Sequence, residues 1–231
     1  MKIKEAGKRV ETKEKYLPTD DEIAAILDNV NERYRALTSL MLHHGLRIGE
    51  AIALERDDVR VEHQPGAPLP RVTVRVKQNA QRISGKGGTY MLVQPPKTKA
   101  GYRDVPIMAA DVPIFLEHLE KYAPTSSTVV QTSEGERSAV LFTVTNAGRM
   151  VMDTSYRSVL ARAKERAGVS PDIDPHTGRN WLITRLAEQD AHLKEIGRLL
   201  GQDDVTTILN VYLKVRAERT TSLMDLSLIH F

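Results

Sequence analysis

The sequence predicts an α+β fold, mainly α-helical, with one small antiparallel β-sheet near the middle of the chain. Three observations predict it. Apolar residues recur at helical spacing on both sides of the centre, and capping signals stand ahead of several of these runs. The stretch Arg71 to Lys77 alternates strictly between polar and apolar side chains, the mark of a half-buried strand. The chain has 231 residues, 41% apolar and 27% charged, which is globular composition with enough length to bury a core.

Taken in order, residues 1–17 are charged and nearly free of apolar periodicity, and read as a linker or arm. Thr19-Asp20-Asp21-Glu22 is a capping box that opens a helix to about Val30. A second helix, from about Asn31 to Gly45, carries Tyr34, Leu37, Leu40, Met41 and His44 on one face. Gly45 fits the residue just past a helix end. A short helix from Ile48 to Leu54 follows. Residues 61–70 are a Pro/Gly loop, and 71–77 the strand with a basic outer face. Tyr90 to Gln94 and Tyr102 to Ile107 are expected to pair as a hairpin around residues 97–101. Pro113 sits near the start of a helix bearing Val112, Phe115, Leu116 and Leu119. Residues 123–137 read as a polar loop. Helices are expected at about 153–167, 175–189, 192–200 and 204–214. The tail 220–231 holds Leu223, Met224, Leu226, Leu228, Ile229 and Phe231, too apolar for a free terminus. It is expected to dock on its own chain or on a neighbour's.

Several function classes drop out. The chain has no cysteine, which excludes disulfides, thiolate metal sites and cysteine nucleophiles. No apolar run reaches membrane-spanning length, and no apolar segment follows Met1, so a cytoplasmic protein is expected. The net charge is only +3, but residues 71–106 hold eight basic side chains against the single acid Asp104. So one-sided a block points to a polyanion partner. Ser84-Gly-Lys-Gly-Gly-Thr89 lacks the spacing of a nucleotide-binding loop and reads as a turn. His43 and His44 are adjacent and point to different helix faces, so no metal is expected.

Two short stretches carry chemistry. In Asp174-Pro-His176-Thr-Gly-Arg179, Asp174 suits an N-cap and Pro175 the first helical position. His176 and Arg179 then share one face of the first turn. That turn offers free backbone N–H groups to an anion, and an arginine adds a two-pronged contact. Val205, Ile208, Leu209, Tyr212 and Leu213 form a helical stripe, with Tyr212 at the edge of a core face.

Together these pieces resemble the catalytic domain of the tyrosine recombinase (phage integrase) family over about residues 18–215. Thr38 to Asp58, with Leu46-Arg47-Ile-Gly-Glu50 at its centre, is similar to the family's first box. Pro96-Lys97-Thr98-Lys99 through Arg103-Asp-Val-Pro106 is similar to its β-hairpin. His176-x-x-Arg179 is similar to its second box. Leu199-Leu-Gly201-Gln202, Thr206-Thr207 and Tyr212 are similar to the stretch that ends in the nucleophile. Two positions depart: Gln202 stands where the family usually has His or Trp, and Asn180 where many members have His. Whole recombinases also carry an N-terminal DNA-binding domain, so the chain reads as a catalytic fragment or a naturally short form.

The resemblance implies the DNA breaking-rejoining fold of the family and an enzyme that cleaves and rejoins DNA through a 3′-phosphotyrosyl link. It implies Tyr212 as nucleophile, with Arg47 and Arg179 clamping the phosphate. His176 takes or holds the tyrosine proton, Lys97 protonates the departing 5′-oxygen, and Gln202 adds a hydrogen bond. Glu50 buttresses the site, while Arg71, Arg75, Lys77, Lys86, Lys99 and Arg103 contact the DNA backbone. No metal and no cofactor are implied. The partners implied are double-stranded DNA attachment sites, further copies of the chain in a homotetramer on DNA (a monomer when alone), and a DNA-bending accessory protein; a membrane is not. Integration or excision by a phage or mobile element is the expected setting. A non-catalytic DNA-binding protein of the same fold and a type IB topoisomerase-like enzyme remain as alternatives.

Overall fold

The computed structural model describes residues 16–85, 88–202, 206 and 208–213. The arm before residue 16, Lys86 and the tail 220–231 lie outside the described residues.

The capping box forms. Glu22 donates its amide to Thr19 Oγ1 at 3.2 Å, and the Thr19 amide donates back to Glu22 Oε2 at 2.9 Å. Helix α1 (Asp20–Asn29) buries Ile23, Ile26 and Leu27 and packs on α5 (Asp153–Ala167). Helix α2 (Glu32–Leu42) is buried along its whole second half, Ala36 to Leu42. It contacts α1, α3 (Ile48–Ala53), α4 (Val112–Lys121) and α6 (Thr177–Glu188), so it is the axis of the helical layer. Its buried hydroxyls are bonded: Thr38 donates to the Tyr34 carbonyl and accepts from Tyr156, and Ser39 donates to Asp111. Gly45 turns the chain out of α2 with φ +65°, and a Cβ there would lie 2.7 Å from Leu200 Cδ2. Helix α7 (Leu193–Leu200) and a helical stretch at 206 and 208–213 complete the layer.

The β-structure is two sheets rather than one. The first has order β1-β2-β5, all antiparallel: Val59–Glu62, Arg71–Val76 and Arg103–Pro106. Its central strand alternates as expected, with Val72, Val74 and Val76 buried and Arg71 and Arg75 exposed. The second has order β3-β4-β6-β7: Asn79–Gly85, Gly88–Gln94, Thr128–Thr132 and Gly135–Ala139, with β4 and β6 parallel.

The expected hairpin between Tyr90–Gln94 and Tyr102–Ile107 does not form. Residues 90–94 lie in β4 and pair with β3, while β5 pairs with β2. Pro95-Pro96 end the β4 ladder, because neither has an N–H to donate. Of the stretch read as a turn, Ser84–Gly85 lie in β3 and Gly88–Thr89 in β4, with Ser84 opposite Thr89, and residues 86–87 lie outside the described residues. The stretch 123–137 read as a loop holds β6 and the start of β7; its strands are polar, and only Val130 and Ala139 are buried. Helix α6 begins at Thr177 rather than 175, since Asp174 Oδ1 takes the amides of His176 (2.7 Å) and Thr177 (2.9 Å) and leaves Pro175 in the turn before it. Among the described residues, no helix is long and apolar enough to cross a membrane.

Two buried histidines set an acid limit on this fold. His44 accepts the Met108 amide at Nε2 (3.0 Å), so Nδ1 carries the proton and faces the Ser39 carbonyl; Asp111 and His43 stand beside it. His118 faces the Phe142 carbonyl and Thr143, near Arg33 and Arg56. Burial pulls each imidazole down to about 4, against the opposing pull of Asp111 on one and the Phe142 carbonyl on the other. The folded value is below the unfolded one, so unfolded chains bind more protons once pH drops below about 6.5. Stability is therefore full above that pH and falls towards pH 4, by about 1.4 kcal/mol per pH unit for each histidine. Urea midpoints at pH 7.5 and 5 check this; equal midpoints would show that the rings are not buried neutral.

Candidate active site

The site is assembled where α2 ends and α3 begins. Arg47 precedes α3, and Glu50 lies in its first turn. Glu50 Oε2 accepts the Arg47 amide at 2.9 Å, and Oε1 accepts Arg47 Nη1 at 2.9 Å. The carboxylate is only 6% exposed, while the Arg47 side chain is 42% exposed. The acid thus lies beneath, and the guanidinium looks into a cleft of about 560 Å³ lined also by Arg82, Gln94, Lys97 and Gly201. Burial alone would raise the Glu50 pKa; hydrogen bonds and charge from Arg103, then Arg47, outweigh it and hold it below the ordinary glutamate value.

Arg179 comes from the first turn of α6 and is 4% exposed. Its Nη1 donates to the Gly45 carbonyl at 2.7 Å, and Nη2 donates to the Leu200 carbonyl and to Gln202 Oε1, both at 3.1 Å. One side chain therefore ties the turn before Arg47 to the end of α7. Burial, then the charge of Arg47, pulls Arg179 down to about 9, still cationic at neutral pH. Gln202 spends its oxygen on this bond, so its Nε2 hydrogens are the half left for another acceptor.

His176 stands exposed at the entry of α6, three residues before Arg179, and its carbonyl accepts the Arg179 amide at 3.2 Å. Lys97 follows Pro95-Pro96 and is exposed on the same cleft as Arg47. Tyr212 is half-buried in the helical stretch 208–213 and packs against the core at its edge. Arg47, Glu50, Arg179 and Gln202 are thus linked by direct bonds or shared backbone, with Lys97 on the cleft that Arg47 and Glu50 line.

The expected backbone-contact residues divide. Arg71 is exposed on β2 and Lys99 on the turn before β5. Arg75 is exposed and bonded to Asp104 at 3.2 Å. Two more have acidic partners within the chain. Lys77 lies beyond the end of β2, where Glu55 (3.1 Å) and Asp58 (2.8 Å) hold its ammonium in a cluster with Gln78 and Arg137. Arg103 has a side chain only 5% exposed, spent on Glu50, Leu199 and Gly101. The sequence reading also missed Lys194 and Arg198. They stand one turn apart on α7 and line a second cleft with Lys99, Tyr102 and Gln202. Their one sequence signal was that i, i+4 spacing. Among the described residues, no group of three His, Asp or Glu side chains is placed to hold a metal ion.

Residues 17–219 match the Phage integrase family. The tyrosine recombinase XerD of Corynebacterium glutamicum is 31% identical over 189 residues, 82% of this chain and 50% of that protein. A XerC-like tyrosine recombinase of Caldanaerobacter subterraneus is 29% identical over 212 residues, 90% of this chain and 52% of that protein. The chain spans about half the length of the curated relatives it matches. Among solved structures, the Tn1549 transposon integrase in complex with transposon right end DNA superposes with a TM-score of 0.71 at 19% identity, over 93% of this chain and 68% of that one. The XerA recombinase superposes with a TM-score of 0.65 at 14% identity, over 94% and 66%. At such identities the likeness is one of fold. By the match across residues 17–219, the chain belongs to the phage integrase family, that of the tyrosine recombinases.

Proposed function

We propose that this chain is the catalytic domain of a site-specific DNA recombinase, with Tyr212 as the nucleophile. The observation that carries the reading is the pair of arginines: Arg47 over Glu50, and Arg179 bonded to Gly45, Leu200 and Gln202, close enough for the charge of Arg47 to bear on Arg179. Glu50 offsets part of their repulsion from beneath, and the exposed side of Arg47 is left to face a second anion. A phosphodiester supplies that anion.

In the reaction, Tyr212 Oη attacks phosphorus and the bond to the 5′-oxygen breaks. His176 takes the phenol proton, and Lys97 gives a proton to the departing 5′-oxygen. The products are a 3′-phosphotyrosyl link and a free 5′-hydroxyl; attack by a 5′-hydroxyl reverses the step and rejoins the strand. Arg47 and Arg179 meet the charge that grows on the non-bridging oxygens, each worth about 3 kcal/mol by analogy with oxyanion holes. Gln202 Nε2 adds a donor. Double-stranded attachment sites are the substrate, a homotetramer on DNA is the working assembly, aided by a DNA-bending protein, and integration or excision of a phage or mobile element is the setting. Arg71, Lys99, Lys194 and Arg198 supply backbone contacts that hold the duplex without reading its sequence.

The test uses a randomised pool of nicked duplexes, in which the short 5′-hydroxyl fragment diffuses away and traps the link. The wild type is expected to give a denaturant-resistant protein–DNA adduct, and Tyr212→Phe none. An adduct that persists in Tyr212→Phe, or none from the wild type, would overturn the reading. Captured sites that lie away from the ends of any mobile element would remove the proposed setting alone.

A further inference from the structure

We infer that Arg103 is a positioning residue for strand cleavage: it locks Arg47 and Gln202 into one frame. The inference rests on Tyr212 chemistry as proposed above.

Arg103 opens β5, and its guanidinium reaches three elements. Nη2 and Nη1 donate to the two oxygens of Glu50 at 2.8 and 3.2 Å. Nε donates to the Leu199 carbonyl at 2.8 Å, and Nη1 also donates to the Gly101 carbonyl at 3.2 Å. Two of these contacts lie one step from a group proposed to face the phosphate. Glu50 is the carboxylate that holds Arg47. Leu199 precedes Leu200, whose carbonyl holds Arg179, and Gly201 leads into Gln202. Gly101 ends the short turn Lys99–Gly101 that leads into β5.

Gly201 records how tightly the frame is closed. It has φ +62°, and a Cβ there would fall 2.6 Å from Arg103 Nη1 and 2.9 Å from the Ala100 carbonyl. The end of α7 therefore packs directly on the guanidinium. Lysine does not replace this group. Its ammonium is a point charge on a flexible stem and cannot serve three directions from one plane. A misplacement of about 1 Å at a reacting group can cost about a hundredfold in rate. The Arg103 side chain is only 5% exposed and its donors are bonded within the chain, so its loss acts through Arg47 and Gln202.

The experiment compares wild type with Arg103→Lys on the duplex captured by the Tyr212-dependent reaction. It uses two versions, an ordinary scissile phosphodiester and a methylphosphonate at that position. The methylphosphonate carries no negative charge, so it makes little demand on Arg47. Arg103→Lys is expected to keep DNA affinity within about twofold and to slow adduct formation at saturating DNA tenfold to a hundredfold on the phosphodiester. The two proteins are expected to react alike on the methylphosphonate. Equal losses on both substrates would mark a merely structural role and overturn the inference, as would an unchanged rate or a loss explained by affinity alone. If Arg103→Lys does not fold, Gly201→Ala gives the second arm: it keeps the charge but displaces the guanidinium. The same substrate-dependent loss is expected; an unchanged rate or equal loss on both substrates again overturns the inference. Indifference to Arg103 with an adduct that still needs Tyr212 sinks this inference alone, whereas absence of any Tyr212-dependent adduct sinks the reading beneath it.

Discussion

Replacing Arg179 by Ala is expected to slow adduct formation by about 10²–10³-fold, the cost of losing one preorganised donor at a charge-developing centre. Stability should fall as well. The Gly45 and Leu200 carbonyls and Gln202 Oε1 lose their donor, and each buried acceptor left unpaired costs about 1–3 kcal/mol. Part of that loss is returned, because burial already disfavours this cation. A net loss of about 2 kcal/mol is the expectation, read from urea midpoints. Arg179→Lys separates the two effects. A lysine keeps a charge but reaches one acceptor, so most of the rate loss should remain while more stability survives. A normal rate in Arg179→Ala would remove this residue from the phosphate clamp. A normal midpoint would mean that its three acceptors find water instead.

What the sequence made legible was local. The Thr19–Glu22 box and the 153–167 helix needed only neighbours within a turn or two, and both stand where the pattern put them. Strand partners were not legible. Nothing within Tyr90–Gln94 says that it pairs with the polar strand 79–85 rather than with 102–107, and the parallel contact of β4 with β6 bridges more than thirty residues. The β6–β7 hairpin was hidden because it buries so little that its alternation reads as a loop.

The site divides in the same way. Arg47, Lys97, His176, Arg179, Gln202 and Tyr212 were reached through the order of short motifs and a family resemblance, not through any one spacing. The bond between Glu50 and Arg47 was readable, since they lie one turn apart. The acids that pair with Arg103 and Lys77 were not legible, because a cation in a basic block looks the same whether an acid waits beneath it or not. Glu50, 53 residues before Arg103, and Glu55, 22 before Lys77, are brought near only by the fold. Buried charge is a property of three-dimensional neighbours, and charge counting treats every such residue as surface.

Gly178 tests how closely the site depends on that packing. Helix α6 meets α2 at this residue, where an added Cβ would fall 2.2 Å from the Met41 carbonyl oxygen, 2.5 Å from Leu42 Cα and 2.7 Å from the Leu42 carbonyl oxygen. All three atoms are backbone, so no rotamer change relieves the clash and the helix must lift. Alanine gains about 1 kcal/mol of helix propensity over glycine, which is smaller than the roughly 3 kcal/mol expected from overpacking against a rigid neighbour. Gly178→Ala should therefore be less stable by about 2 kcal/mol, a fall in Tm of about 4–8 °C for a domain of this size. Arg179 is the next residue, and its 2.7 Å bond to the Gly45 carbonyl cannot follow a lifted helix. Adduct formation should drop with stability, even at temperatures where the variant is fully folded. Gly168→Ala is the control: its φ of +66° strains a side chain, but no neighbour lies within 4 Å of the new Cβ. It should cost about 1 kcal/mol and leave the rate alone. If Gly178→Ala matched the wild type in both Tm and rate, α6 would not press on α2 at that point, and the placement of Arg179 would have to rest on something else.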